Sequence, residues 1–277
     1  ILASSQEERE RIQLHLGQSI DNLSSGQVDE ARLELERAID LGLNQPAAYF
    51  VMGWLFTDKD QQKALNCLQR AVRNPQYALA SYLLIGCIYE QTGQLQDAGA
   101  NYLQALRLAD AESVPIDKTE EILQLYDPIF ESLALITQEK DLKNLCTAIN
   151  GQLTRKDWRA YLKAARAQLP AQAEGLPPLP LAEMLMESTS SQVVEALAQV
   201  RKLVSLGKLR AAMEEAFAAI TFAPAYLPLH VQIGDILIAQ GRVQDAVEKF
   251  QQVAHLYQIR SETAQAIRLL TKVAKLA

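Results

Sequence analysis

The sequence predicts an all-α chain assembled from helical hairpins, and three observations carry that prediction. Apolar residues recur along most of the chain at the three- and four-residue spacing of one helix face. Glycines at positions 26, 93, 207 and 241 punctuate the pattern where the chain has to turn. The small residue that follows the turn keeps a nearly fixed interval: Ala31, Ala64 and Ala98 lie 33 and 34 residues apart, and Ala212 and Ala246 lie 34 apart. With 277 residues, 49% of them hydrophobic, and only 12 glycines, the chain can bury a large core or extend as one stack.

The clearest unit runs from Leu79 to Glu112. Tyr82, Ile85, Gly86 and Tyr89 fall on one face of its first helix, Gly93 ends that helix, and Leu95, Ala98, Tyr102, Ala105 and Leu106 line the second. Small residues at Gly86 and Ala98 alternate with Tyr89 and Tyr102, as two closely crossed helices require. An earlier copy, Arg11 to Leu41, keeps Gly26, Ala31, Leu35 and Ala38 but has Ser19 where Gly86 sits. The next, Pro46 to Pro75, carries Met52-Gly53, Phe56, Ala64, Leu68 and Ala71, and turns through Asp58, Lys59 and Asp60.

The set Ile85-Gly86, Tyr89, Gly93, Ala98, Tyr102 and Ala105 resembles the tetratricopeptide repeat (TPR), a helical hairpin of about 34 residues. The resemblance extends over roughly Arg11 to Glu112 and Ser191 to Ala277, and it implies a right-handed α-solenoid. Beyond Glu112 the helical signal persists out of register, over Thr119–Gln138, Leu142–Leu153 and Arg155–Leu169, with a break expected at Asp127-Pro128. Pro170 to Pro180 holds four of the ten prolines and reads as an extended connector. The register returns with Gly207, Ala212, Ala216 and Ala219, then Ile233-Gly234, Leu237, Gly241, Ala246 and Phe250. The expected organisation is therefore a repeat block over 1–112, irregular helices over 113–169, the connector 170–180, and a second block over 181–277. The last segment, Ser261 to Ala277, is expected to be poorly capped, with Leu269, Leu270, Val273 and Leu276 near its end, and so to continue, self-associate or meet a partner. The chain starts at Ile1 rather than Met and stops inside a further repeat-like segment, which reads as a piece of something longer.

Composition narrows the function. A net charge of −6 argues against a broad phosphate-binding surface and hence against nucleic acid as partner. No apolar run is long enough to span a membrane, and the charged cluster Glu7 to Arg11 follows the start too soon for a signal peptide. Three dispersed cysteines, Cys67, Cys87 and Cys146, read as reduced core or groove residues, so the chain is expected in the cytoplasm. His15, His230 and His255 lie in different repeats without metal-ligand spacing, and no phosphate-cradling loop or nucleophile elbow occurs. Neither a catalytic group, a metal site nor a cofactor is expected. Arg155, Arg159, Lys163 and Arg166 form a stripe at helical spacing, read chiefly as a solvated face and secondarily as a basic patch for an acidic segment.

Binding is the function that the resemblance implies, on the concave surface lined by the first helices of successive repeats. That transfer selects Leu16 and Ile20, Phe50 and Trp54, and Leu83 and Cys87. One subset of such repeats grips an acidic chaperone tail with basic and amide side chains, and Leu16, Ile20, Val51, Ala80 and Leu84 depart from that pattern. An apolar groove instead suits an amphipathic helix, unless the chain's own middle helices cover it. Arg201, Gln232 and Asp235 occupy comparable inner positions in the second block and mark a second, polar surface. The favoured reading is a non-enzymatic scaffold or adaptor of bacterial character that docks a protein or peptide within a multi-subunit assembly. The second reading is a peptide- or ligand-sensing regulatory domain of a larger signalling or transcription-control protein.

Overall fold

The computed structural model describes residues 6–169, 177–185, 190–224 and 226–276, and among these all regular structure is helical. The helices are α1 Gln6–Ser24, α2 Val28–Asp40, α3 Pro46–Phe56, α4 Gln61–Ala71, α5 Pro75–Gln91, α6 Leu95–Ala111, α7 Thr119–Leu125, α8 Asp127–Leu135, α9 Glu139–Leu153, α10 Trp158–Arg166, α11 Ser190–Ser205, α12 Leu209–Phe222, α13 Leu227–Ala239, α14 Val243–Ile259 and α15 Thr263–Leu276. Two compact units emerge, Ile1–Ala109 with Gln138–Trp158, and Asp110–Thr137 with Arg159–Ala277. The segment expected as a separate irregular region, 113–169, is thus shared between them. Residues 170–176 of the expected connector lie outside the described residues.

Local chemistry sets the helix ends. Asp60 caps α4 by accepting the Lys63 N–H at 3.0 Å, and Asn74 caps α5 by accepting the Gln76 N–H at 2.9 Å. Pro46 and Pro75 occupy first turns, where their missing N–H leaves no helical bond unmade. Gly93 sits at φ +76°, a left-handed conformation that a Cβ resists, so that the Gln94 N–H can close on the Tyr89 carbonyl at 2.9 Å. Gly26, Gly207 and Gly241 repeat this geometry between α1 and α2, α11 and α12, and α13 and α14, whereas the turn from α3 to α4 runs through Asp58, Lys59 and Asp60 without a left-handed residue.

The hairpins of the first unit are α1/α2, α3/α4 and α5/α6, and each is held by a close crossing. A Cβ on Gly53 would lie 2.6 Å from Leu68 Cγ, and one on Gly86 would lie 2.7 Å from Tyr102 Cδ1. At the corresponding point of the first hairpin the buried Ser19 donates its hydroxyl to the Ala31 carbonyl at 2.8 Å. This bond satisfies the only polar group that the replacement brings into the crossing. α9 packs on α5, burying Leu142, Leu145, Cys146 and Ile149.

The second unit contains the hairpins α11/α12 and α13/α14, with α15 against α14. Gly234 meets the Phe250 ring even more closely than Gly86 meets Tyr102. The expected break at Asp127-Pro128 separates α7 from α8 at Tyr126. Leu125 enters a cluster with Val193, Val194, Leu197, Tyr226 and Leu229, which fixes α7 onto the repeats of this unit. Of the four apolar residues noted near the end of the last helix, Leu269 and Val273 are buried with Phe250 and Tyr257, Leu276 is half-buried and Leu270 is exposed, as is Ile267.

Candidate interaction surfaces

In the first unit α3 lies beside α5, and the Phe50 and Tyr77 rings meet at 5.6 Å between centroids. The six inner residues chosen from sequence do not behave alike. Ile20 and Trp54 keep 57% and 53% of their surface exposed. Leu16 and Phe50 are half-buried against the core of α2, α3 and α4, and Leu83 is half-buried on α5. Cys87 faces its own second helix: the Tyr102 hydroxyl lies 3.2 Å from its sulfur and donates to Glu90 at 2.7 Å. Burial pushes the Cys87 thiol above its usual range and the Cys146 thiol up to about 11, so both stay protonated and unreactive near neutral pH.

In the second unit Arg201, Gln232 and Asp235 come together on the wall of one concave cavity of about 340 Å³. α11, α13 and α15 line it, and Glu121 and Gln124 of α7 close one side. Asp235 is held by Lys272, and Gln124 donates to Glu262 at 3.4 Å. The Gln232 side-chain oxygen is buried without a hydrogen-bond partner, an arrangement that favours an incoming donor.

The stripe Arg155, Arg159, Lys163 and Arg166 is not a continuous basic patch, because three of its members meet carboxylates. Arg155 makes paired bonds to Asp157 at 3.0 and 3.1 Å, holding a turn that delays α10 until Trp158. Arg159 reaches Glu112 at 3.2 Å, and Lys163 lies on the exposed face. Arg166 turns inward. It pairs with the fully buried Asp110, takes Ser113 Oγ at 2.9 Å and donates to the Leu179 carbonyl at 3.1 Å. Asp110 also accepts the Tyr126 hydroxyl at 2.9 Å and the Leu181 N–H at 2.8 Å. Burial and the Asp110 carboxylate hold the Tyr126 phenol well above its usual range. Sequence reasoning missed this node because its members are spread over some seventy positions without a motif.

Among the described residues no group of histidine, cysteine and acidic side chains is placed to hold a metal, and no helix is long and apolar enough to cross a membrane. His15 lies 2.6 Å from Glu34, and the His230 ring lies 3.1 Å from the Pro224 carbonyl.

Residues 79–112 match the tetratricopeptide-repeat family model. That span is the α5/α6 hairpin with its Gly86 and Tyr102 crossing. No curated protein matches the chain by sequence. Among solved structures, the crystal structure of the P58(IPK) TPR domain is similar at 13% identity over 95% of this chain and 92% of that chain, with a TM-score of 0.30. Tetratricopeptide repeats are protein-interaction modules, and the repeat at 79–112 supports a role in binding other proteins.

Proposed function

We propose that the chain is a non-enzymatic scaffold that docks an amphipathic helix or peptide of a partner protein along the apolar inner residues of α1, α3 and α5, within a multi-subunit assembly. The observation that carries this reading is the exposure of Trp54 and Ile20 beside the half-buried Leu16, Phe50 and Leu83. Large apolar side chains left open next to a rigid core are the form that binding hot spots take. Covering each contributes about 1.5 to 3 kcal/mol, so two or three anchors suffice for a specific contact. Free thiols at Cys67, Cys87 and Cys146 fit a reducing compartment such as the cytoplasm. The test is co-purification from the native source, comparing the unmodified chain with an Ile20→Ser, Trp54→Ser variant whose helicity is unchanged. Partners retained by the first and lost by the second support the reading; the same partners on both forms sink it.

A second reading, a ligand-sensing regulatory domain, rests on the cavity that holds Arg201, Gln232 and Asp235 and on its unpartnered Gln232 oxygen. Small-angle scattering separates the two. A sensor compacts when ligand is added, whereas a scaffold keeps its shape and gains mass.

A further inference from the structure

On the side of its second helices, the second unit holds a groove of about 300 Å³ with α13 as its floor and α12 and α14 as its walls. The floor is apolar, made of the buried Ile233 and Leu237. Met213 and Phe217 of α12 form one wall, and Phe217 keeps 55% of its surface exposed. Lys249 of α14 stands on the opposite wall, half-buried. The groove lies between two hairpins inside the unit, so its opening does not depend on where the chain begins or stops. The first unit shows what closes such a groove. Counted from the small residues Ala31 and Ala64, and Ala212 and Ala246, Arg32 stands where Met213 does, Glu36 where Phe217 does, Lys63 where Asp245 does and Cys67 where Lys249 does. There Glu36 of α2 reaches Lys63 of α4 at 2.6 Å, and Arg32 and Lys63 lie 5.2 and 5.1 Å from the centre of the Phe56 ring. A carboxylate from one second helix thus meets an ammonium from the next across an apolar floor. In the second unit Phe217 replaces that carboxylate, and the bridge is missing.

Lys249 supplies the ammonium with nothing to answer it. No carboxylate among the described residues pairs with it, and burial lowers its pKa with no opposing charge. Of the two acids that border the groove, Asp245 is held by Arg242 at 2.6 Å and Glu248 is exposed. A partly desolvated ammonium without a counter-ion favours an incoming carboxylate, and the open Phe217 ring favours an apolar group beside it. The volume is at the lower end for a small-ligand pocket and suits one large side chain with a carboxylate next to it. Residues four apart on a helix present such a pair on one face. We propose that the groove between α12 and α14 docks a helix of a partner protein that sets a large apolar side chain against Phe217 and, one turn away, a glutamate or aspartate on Lys249. The site is separate from the inner face of α1, α3 and α5 and does not rest on docking there.

The test measures fluorescence anisotropy of the full chain with two labelled synthetic helical peptides. Both carry leucine and phenylalanine on one face; four positions after the phenylalanine, one has glutamate and its twin has glutamine. The glutamate peptide should bind about fivefold tighter than its twin. Lys249→Met keeps the stem, removes the charge and should erase that preference. Phe217→Ser should weaken both peptides by about tenfold, the loss expected for one large apolar contact. Phe217 is exposed and the methionine preserves packing, so neither variant should lose helicity. Trp54→Ser should change neither affinity. The Lys249 pKa, followed through the NMR shift of its labelled side chain, should rise when the glutamate peptide binds. Four outcomes overturn the proposal: neither peptide binds, the preference for glutamate survives in Lys249→Met, Phe217→Ser has no effect, or Trp54→Ser removes binding and so puts the peptide on the inner face. Self-association that Phe217→Ser abolishes, without any peptide binding, also overturns it, in favour of a second copy.

Discussion

The inner residues of α1, α3 and α5 and those of α11 and α13 occupy comparable positions of the same kind of hairpin, yet their chemistry differs. In the first unit they are Ile20, Phe50, Trp54 and Leu83, and the largest remains half exposed. In the second, Arg201 and Asp235 hold the positions of Ile20 and Trp54, one residue past the crossing, and with Gln232 they line a cavity of mixed charged and apolar side chains that α7 closes on one side. What the units share is the crossing, with Gly86 under Tyr102 and Gly234 under Phe250. Hairpin geometry constrains the crossing tightly and leaves the inner face free, so two unlike surfaces can grow on one scaffold.

The largest predicted effect tests the buried polar node that belongs to the second unit. Asp110→Ala leaves Arg166 without its carboxylate and the Tyr126 hydroxyl without an acceptor, and should cost about 3 to 5 kcal/mol in urea unfolding. A loss below about 1 kcal/mol, the scale of an exposed ion pair, would mean the node is solvated. Next come the shared crossings. Gly86→Ala and Gly234→Ala should each destabilise by about 1 to 3 kcal/mol, since Tyr102 and Phe250 have to move. Gly17→Ala, on a helix where an added Cβ meets nothing, should instead stabilise by up to about 1 kcal/mol. Equal signs at the three positions would undermine the crossing argument.

Smaller effects separate the two inner faces. Trp54→Ala should change stability by no more than about 0.5 kcal/mol, because an exposed side chain leaves no cavity; a large fall in melting temperature would place it in the core. The smallest effect concerns pH and only the second unit. Burial, with Lys249 and Arg260 nearby, lowers the His230 pKa despite its hydrogen bond to the Pro224 carbonyl. The unfolded chain therefore takes up the proton first. The contribution is present above the unfolded value of about 6.5 and is lost as pH falls through the folded value. A comparison of melting between about pH 7.5 and 5.5 should show a steeper loss for the unmodified chain than for His230→Gln.

The turns and crossings were legible because each depends on residues close in sequence: Gly93 ends α5 and Tyr102 enters the gap at Gly86 within one hairpin. Ser19 was recognised as a departure, but its bond to Ala31 depends on where α2 falls in space. Cys87 was placed in the groove by register alone, whereas the Tyr102 hydroxyl draws it toward α6. The basic stripe reads chiefly as a solvated face, and Arg155, Arg159 and Lys163 are exposed, but register alone could not show that Arg166 turns inward. Helical spacing aligned Arg159, Lys163 and Arg166 on α10, but only the fold supplies Glu112 and Asp110 to meet two of them. Arg201, Gln232 and Asp235 were found from their register, while Gln124 and Glu121 could not be added without knowing where α7 docks.

The central claim, that the apolar inner face of the first unit receives a partner, is tested most directly by photo-cross-linking in the native source. A photoreactive phenylalanine replaces Trp54 in one variant and Leu33, an exposed residue on α2, in another. The account predicts a discrete adduct with a partner protein from position 54 that is absent from position 33 and disappears when Ile20→Ser is added. Adducts from position 54 that join only parts of the chain itself, or identical adducts from both positions, would contradict it.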